Sequence, residues 1–283
     1  MKCAWDALLG LLPQGYKSTV DKLGRETLQE LRLRRGRPLM LVKQDGQAEL
    51  PIIVSAEDIQ FVVNAACRYS PWTAESVANG YIAAPGGHRI GMCGEVIVHN
   101  GVMTGMRHIT SLCIRVARDY PGIGVKAPQR GNLLILGPPG SGKTTLLRDI
   151  IRIRAEAGTG SVAVVDERGE LFPTYAGNIC FFPGRGTDVM SGCRKASGMV
   201  KLLRTMGPAT IAVDEITSRE DCGAILETIG CGVDIIATAH AGSVRDFLNR
   251  PAYAPLIEHR IFRNILLMRP DKSWREERLH YDA

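Results

Sequence analysis

The sequence predicts an α/β protein in two parts: a C-terminal domain on a mainly parallel sheet, and a smaller mixed α+β domain before it. Three observations lead there. From residue 131 on, apolar strand-like runs of four to six residues alternate with helix-length amphipathic stretches, the pattern of parallel strands joined by crossover helices. Before residue 120, helix-like and strand-like stretches follow one another without that order. Between the two lies Tyr120-Pro121-Gly122-Ile123-Gly124-Val125-Lys126-Ala127-Pro128, with two prolines and two glycines, a composition that interrupts both helix and strand. The expected division is an N-terminal domain over 1–120, a linker over 121–130 and a C-terminal domain over 131–283.

In the N-terminal part, residues 2–12 and 24–33 read as helices, and Pro38–Lys43 and Leu50–Val54 as strands. Ser55 opens a helix with Asp58 in capping-box position and apolar residues at Ile59, Val62, Val63 and Ala66. Val96–His99, Asn100-Gly101 and Val102–Thr104 read as a hairpin, because Asn-Gly suits a type I′ turn. Cys113–Arg118 reads as an alternating strand that presents Arg115 and Arg118 on one face. In the C-terminal part the expected strands are Asn132–Leu136, Val162–Asp166, Thr210–Asp214 and Val233–Thr238. The expected helices are Thr144–Ala157, Lys195–Met206, Ser218–Ile229 with Asp221 completing a capping box, and Ser243–Asn249. Phe262–Met268 and Trp274–Leu279 should close the chain as an antiparallel edge hairpin.

Composition narrows the class. Apolar residues make up 45% of 283, enough for a sizeable core. The longest apolar runs, such as Asn132–Leu136 and Ile261–Met268, fall well short of the roughly 20 residues that span a bilayer. Met1–Asp6 carries an early acid and no apolar segment leading to a cleavage site, so it reads as neither a signal nor a transit peptide. The eight cysteines form no CxxC pair, which gives a zinc site little support and suits a reducing cytoplasm. A net charge of +6 permits contact with nucleic acid or acidic lipid without requiring either.

The chemistry concentrates in four places. Gly137-Pro138-Pro139-Gly140-Ser141-Gly142-Lys143-Thr144 is a complete GxxxxGK[ST] P-loop between an apolar strand and a helix. Its glycines let backbone N–H groups converge on phosphate oxygens, Lys143 should reach the β and γ phosphates, and Thr144 should ligate Mg2+. Thr145, next in the helix, is counted with this ATP-binding set. Ile211-Ala212-Val213-Asp214-Glu215 is the expected Walker B strand, with Asp214 in the Mg2+ shell and Glu215 polarising the attacking water. Val164-Val165-Asp166-Glu167 ends another strand on acids, so Asp166 or Glu167 can approach the same crevice. Ile235–Ala239 ends on His240, placed to sense the γ-phosphate or to bridge to a neighbouring strand. With these motifs in this order, the C-terminal domain is expected to be a RecA-like P-loop NTPase.

The same order resembles the secretion ATPases of type II and type IV systems, whose motifs are Walker A, Asp box, Walker B and His box. The chain is also similar to the sporulation stage III AA family of endospore-forming bacteria, in Glu30–Leu39, Gly86–Gly91, Ser111–Arg118, Val164–Glu170 and Ala212–Ile216. The resemblance runs from about residue 25 to residue 270. It implies an ATPase that powers a channel across the forespore membranes, cytoplasmic on the mother-cell side and recruited by membrane proteins. It also implies a homo-oligomer, a hexameric ring, whose nucleotide sites are completed by arginines of the N-terminal domain. Arg89, Arg115 and Arg118 fit that role, with Arg204 a further candidate. Carried over on matching motifs are Lys143, Thr144, Asp214 and Glu215, then Glu167 and His240. This chain has the Walker B aspartate that many secretion ATPases lack, and its boxes are closely spaced.

Two other functions fit a P-loop. One is a nucleic-acid motor, for which the basic runs Arg32–Arg37 and Arg148–Arg154 speak; the lack of aromatic residues interleaved with them speaks against it. The other is an ATP-dependent scaffold with little turnover, against which Glu215 counts.

Overall fold

A computed structural model of the chain describes residues 1–43, 45–67, 80–158 and 160–279, Val102 by its backbone alone. In chain order the first elements are α1 (Trp5–Gly10), α2 (Gln14–Leu23), β1 (Leu28–Arg34), β2 (Pro38–Lys43), β3 (Gly46–Ile53), α3 (Ala56–Cys67), β4 (Tyr81–Ala83), β5 (Arg89–His99) and β6 (Val102–Arg115). There follow β7 (Leu133–Gly137), α4 (Lys143–Glu156), β8 (Val162–Asp166), β9 (Thr174–Tyr175), β10 (Asn178–Ile179), β11 (Thr187–Ser191) and α5 (Lys195–Met206). The last are β12 (Thr210–Val213), α6 (Arg219–Gly230), β13 (Asp234–His240), α7 (Val244–Leu248), α8 (Ala254–Glu258), β14 (Asn264–Met268) and β15 (Trp274–Arg278). They gather into two compact units, Met1–Asp119 with Pro173–Phe181, and Tyr120–Phe172 with the chain from Phe182 on.

The first unit is an antiparallel sheet in the order β3-β2-β1-β6-β5-β4. One of its faces contributes Leu31, Leu33, Leu41, Ile90 and Ile114 to a core shared with Leu8, Val20 and Val62 of the helices. Residues 24–33, expected as a helix, instead enter β1. Leu28, Leu31 and Leu33 are all buried. A register shift between Leu28 and Glu30 lets an odd spacing of three put Leu28 and Leu31 on the same side. That bulge imitates helical periodicity. The chain before it forms two helices around Pro13 rather than one over 2–12, and α2 had no counterpart in the sequence reading. The capping box of α3 forms as expected: the Asp58 N–H donates to Ser55 Oγ at 3.1 Å and the Ser55 N–H to Asp58 Oδ2 at 2.9 Å. Asn100 (φ 49) and Gly101 (φ 75) turn the β5–β6 hairpin, both with the positive φ of a type I′ turn.

Arg115 and Arg118 do not share a strand face. β6 ends at Arg115, and in a period-two strand residues three apart point to opposite sides. His88 is buried just before β5; its Nδ1 accepts from the Ala117 N–H at 3.0 Å and its Nε2 lies 3.0 Å from the Ala4 carbonyl. Burial holds this imidazole below its ordinary pKa. The β9–β10 hairpin also belongs to this unit, and Gly87 (φ 82) admits it: a Cβ there would lie 2.9 Å from Pro173 Cγ.

The second unit carries a sheet in the order β11-β8-β12-β13-β7-β14-β15, parallel throughout except for β15. Every residue of β7 and β8 is buried, as expected of strands covered on both faces. The helix α4 packs on β7, β8 and β13, while α5 and α6 pack on each other and on β8 and β13. The closing pair differs from an edge hairpin in one respect: β14 lies inside the sheet, parallel to β7, and only β15 forms the edge. The stretch expected as a linker is packed on α4 within this unit. The buried Asp149 carboxylate accepts from the N–H groups of Gly122 (2.9 Å) and Gly124 (2.8 Å), and a Cβ on Gly124 would meet Ile150 Cγ1 at 2.9 Å.

Candidate active site

Parallel pairing brings the strand ends of the second unit to one edge. Register pairs Gly137 with His240, Ala237 with Val213, and Val213 with Val165. The P-loop, Asp214, His240 and Asp166 therefore leave the sheet at the same edge, the carboxyl end where ligands of such sheets bind.

The P-loop closes tightly over its own first glycine. A Cβ on Gly137 would come within 2.7 Å of Ser141 Oγ and 2.9 Å of Met268 Cβ. Gly140 (φ 74) and Gly142 (φ 95) take left-handed backbone, which glycine adopts without steric cost. Gly142 caps α4 and has no side chain to occupy the first-turn amides. Pro139 and Gly140 are exposed, while Pro138, Thr144 and Thr145 are half-buried. Ser141 Oγ is buried without a hydrogen-bond partner among the described residues.

Lys143 folds back along the loop. Its Nζ donates to the carbonyls of Gly137 (3.0 Å) and Pro138 (2.9 Å), and lies 3.0 Å from His240 Nδ1. Burial lowers its pKa, and the charges of Asp214 and Glu215 oppose that shift. His240 Nε2 lies 3.1 Å from Glu215 Oε1. An imidazole that accepts from Lys143 at Nδ1 carries its proton on Nε2 and donates it to Glu215. The Lys143 ammonium, the His240 ring and the Glu215 carboxylate thus form a continuous chain.

The Thr144 hydroxyl donates to Asp214 Oδ2 at 2.7 Å, and the Thr238 hydroxyl donates to Asp214 Oδ1 at 2.5 Å. Thr238 Oγ1 also accepts from the Glu215 N–H at 2.7 Å. Glu215 is held at φ 54, a region that costs a non-glycine residue roughly 1–3 kcal/mol. Its other carboxylate oxygen lies 3.4 Å from Arg168 Nη1.

The remaining candidates lie elsewhere or are engaged. Asp166 is buried and accepts from the N–H groups of Glu170 (2.9 Å) and Phe172 (2.8 Å), so it ties the loop after β8; burial raises its pKa against those bonds. Glu167 is paired with Lys195 at 2.5 Å rather than set on the P-loop. In the first unit, Arg118 donates to the carbonyls of Arg25 and Leu28, which makes it a structural tie. Arg115 is exposed and pairs loosely with Glu30 at 3.5 Å. Arg89 lies over the Tyr81 ring at 4.0 Å. Arg204 sits in the last turn of α5 beside Glu227 at 3.6 Å; α5 leads into the amino end of β12, so Arg204 is at the opposite end of the sheet from the P-loop. The basic helix stretch is used internally: Arg148 donates to the carbonyls of Leu171 and Glu170, and Arg154 to those of Gly131 and Pro128. Burial lowers the Arg154 pKa to about 10. Sequence reasoning missed Thr238, Arg168 and Lys195. Thr238 lies in the apolar run Ile235–Ala239 before His240, and only the fold gives its hydroxyl two partners.

A RecA-like sheet with these motifs at its carboxyl edge has the fold of the type II and type IV secretion ATPases. The chain matches the Legionella pneumophila ATPase DotB with a TM-score of 0.56 and 18% identity, covering 94% of this chain and 79% of that one. It matches the pilus retraction motor PilT with bound ADP at a TM-score of 0.62 and 16% identity, covering 89% and 77%. Within that fold class, the family model for sporulation stage III, protein AA, matches residues 15–282. Stage III sporulation protein AA of Bacillus subtilis (strain 168) is 35% identical over 266 residues, 89% of this chain and 87% of that protein. The chain belongs to the sporulation stage III protein AA family.

Proposed function

We propose that this chain is a Mg2+-dependent ATPase that powers assembly of, or transport through, a secretion-like channel complex in sporulation. The chief support is the unbroken set of contacts joining Lys143, His240, Glu215, Thr238, Asp214 and Thr144 at one edge of the sheet. Family membership and the secretion-ATPase fold support the cellular setting: the mother-cell cytoplasm, at a membrane reached through partner proteins. Among the described residues no helix is long and apolar enough to cross a membrane.

In this reading the first-turn amides of α4 and the glycine backbone receive the phosphate oxygens, favoured by the positive end of the helix. Lys143 exchanges the carbonyls of Gly137 and Pro138 for the β and γ phosphates. Thr144 and Asp214 are adjacent oxygen donors that would hold a small hard cation; Mg2+ held there would supply neutralisation of the charge on the β and γ phosphates. Glu215, 33% exposed, takes a proton from the water that attacks the γ-phosphorus as the bond to ADP breaks. His240 and Arg168 orient its carboxylate.

The test is phosphate release from ATP by the purified chain, beside Lys143→Ala. The parent should turn over ATP with Mg2+, and the variant should lose turnover and bind nucleotide more weakly. Turnover in Lys143→Ala at the parent rate would exclude the P-loop as the site.

A further inference from the structure

We infer that Thr238 is the positioning residue of this site, setting both Walker B carboxylates through one hydroxyl. The inference rests on the ATPase reading and deepens it. Thr238 lies on β13, one strand away from the acids it controls, and is fully buried. Its Oγ1 proton goes to Asp214 Oδ1 (2.5 Å), and its lone pair takes the Glu215 N–H (2.7 Å). Its carbonyl takes the next amide, that of Ile216, at 2.9 Å. Two successive N–H groups after β12 are therefore anchored on a single residue of the neighbouring strand.

The consequences differ for the two acids. Asp214 has its two oxygens held by two hydroxyls from two different elements, Thr238 on β13 and Thr144 on α4. A carboxylate so clamped has one rotamer. The Thr144 proton points to Asp214, which leaves the Thr144 lone pairs for a cation. Glu215 stands at φ 54, a conformation the backbone keeps only where its surroundings over-determine it. The Thr238 side chain supplies the hydrogen bond to the amide at that point. Removing the hydroxyl frees the Asp214 rotamer and the Glu215 backbone together, while the Ile216 bond to the Thr238 carbonyl keeps the turn attached. Partners of this kind behind a metal site typically matter about 10–100-fold in metal affinity or activity.

Three variants separate hydroxyl from shape. Thr238→Val keeps the branched shape and loses the hydroxyl, Thr238→Ala loses both, and Thr238→Ser keeps the hydroxyl. Each is measured for folding, for kcat and KM with ATP at saturating Mg2+, and for nucleotide binding titrated with Mg2+ in the absence of turnover. The expected result is a kcat lower by about tenfold or more in Val and Ala. Their Mg2+ requirement for nucleotide binding should rise several-fold, with KM for ATP little changed and recovery in Ser. Should Val not fold, the comparison of Ser with Ala carries the same contrast. A folded Val or Ala variant with parental kcat and parental Mg2+ dependence overturns the inference alone. Equal losses in Ser and Ala overturn it too, because packing rather than the hydroxyl would then matter. A parent chain without turnover overturns the ATPase reading and this inference with it.

Discussion

Glu215 combines three constraints: an amide held by Thr238, a carboxylate held by His240 and Arg168, and a left-handed backbone. Side chains that only terminate a strand have no need of such an arrangement, and strained positions of this type gather where geometry matters. Glu215→Gln preserves the shape and most of the hydrogen bonding but cannot accept a proton from water. ATP affinity should persist in this variant while turnover drops about 100-fold or more. Steady-state turnover beside a nucleotide titration separates the two quantities. Loss of both in equal measure would assign Glu215 to the structure of the loop. His240, whose ring touches both Lys143 and Glu215, was legible as a candidate because a histidine follows a buried strand; its two contacts were not.

At the scale of elements, the approach of α5 to β8 shows how closely the second unit is packed. Gly198 on α5 faces Val165: a Cβ there would lie 2.6 Å from Val165 Cγ1 and 3.0 Å from Cys193 Sγ. Helix propensity alone favours Gly198→Ala by about 1 kcal/mol. Overpacking against a buried β-branched side chain costs roughly 1–3 kcal/mol, and Val165 has little rotamer freedom to yield. The net expectation is destabilisation, read as a lower midpoint in denaturant unfolding of the second unit. A variant more stable than the parent would show that α5 shifts freely on β8. The strand β8 ends at Asp166, so such a shift would also reach the loop that Asp166 holds.

At the scale of the whole molecule, the question is how chains combine. The resemblance to the secretion ATPases implies a hexameric ring whose nucleotide sites are completed by arginines of the N-terminal domain, supplied by the same copy or by a neighbouring one. The structure separates the two expected arginines: Arg115 is exposed, whereas Arg118 is committed to the carbonyls of Arg25 and Leu28. Arg115→Ala should therefore lower turnover and leave stability unchanged, while Arg118→Ala should lower stability first. An arginine on the γ-phosphate is worth roughly three to five powers of ten in rate. If it comes from another copy, turnover per chain rises with protein concentration. A concentration series with sedimentation at each point tests this, and full activity in Arg115→Ala would remove that residue from the mechanism.

Much of this protein could be read from residues in a row. The P-loop, Asp214-Glu215 and the alternation of strands with helices are local patterns, because phosphate binding and parallel pairing impose fixed spacings on a short stretch of chain. Capping boxes at Ser55 and Ser218 and the Asn100-Gly101 turn are local for the same reason. What tertiary structure decided are the contacts between residues far apart in the chain. A bulge gave β1 the periodicity of a helix, and β6 ended before Arg118. The 120–130 stretch docked on Asp149, and residues 173–181 joined the first unit. Thr238 belongs with these. A threonine in a buried strand is ordinary in any sequence, and only the pairing of β13 with β12 brings its hydroxyl to both acids, because hydrogen bonds across strands depend on register.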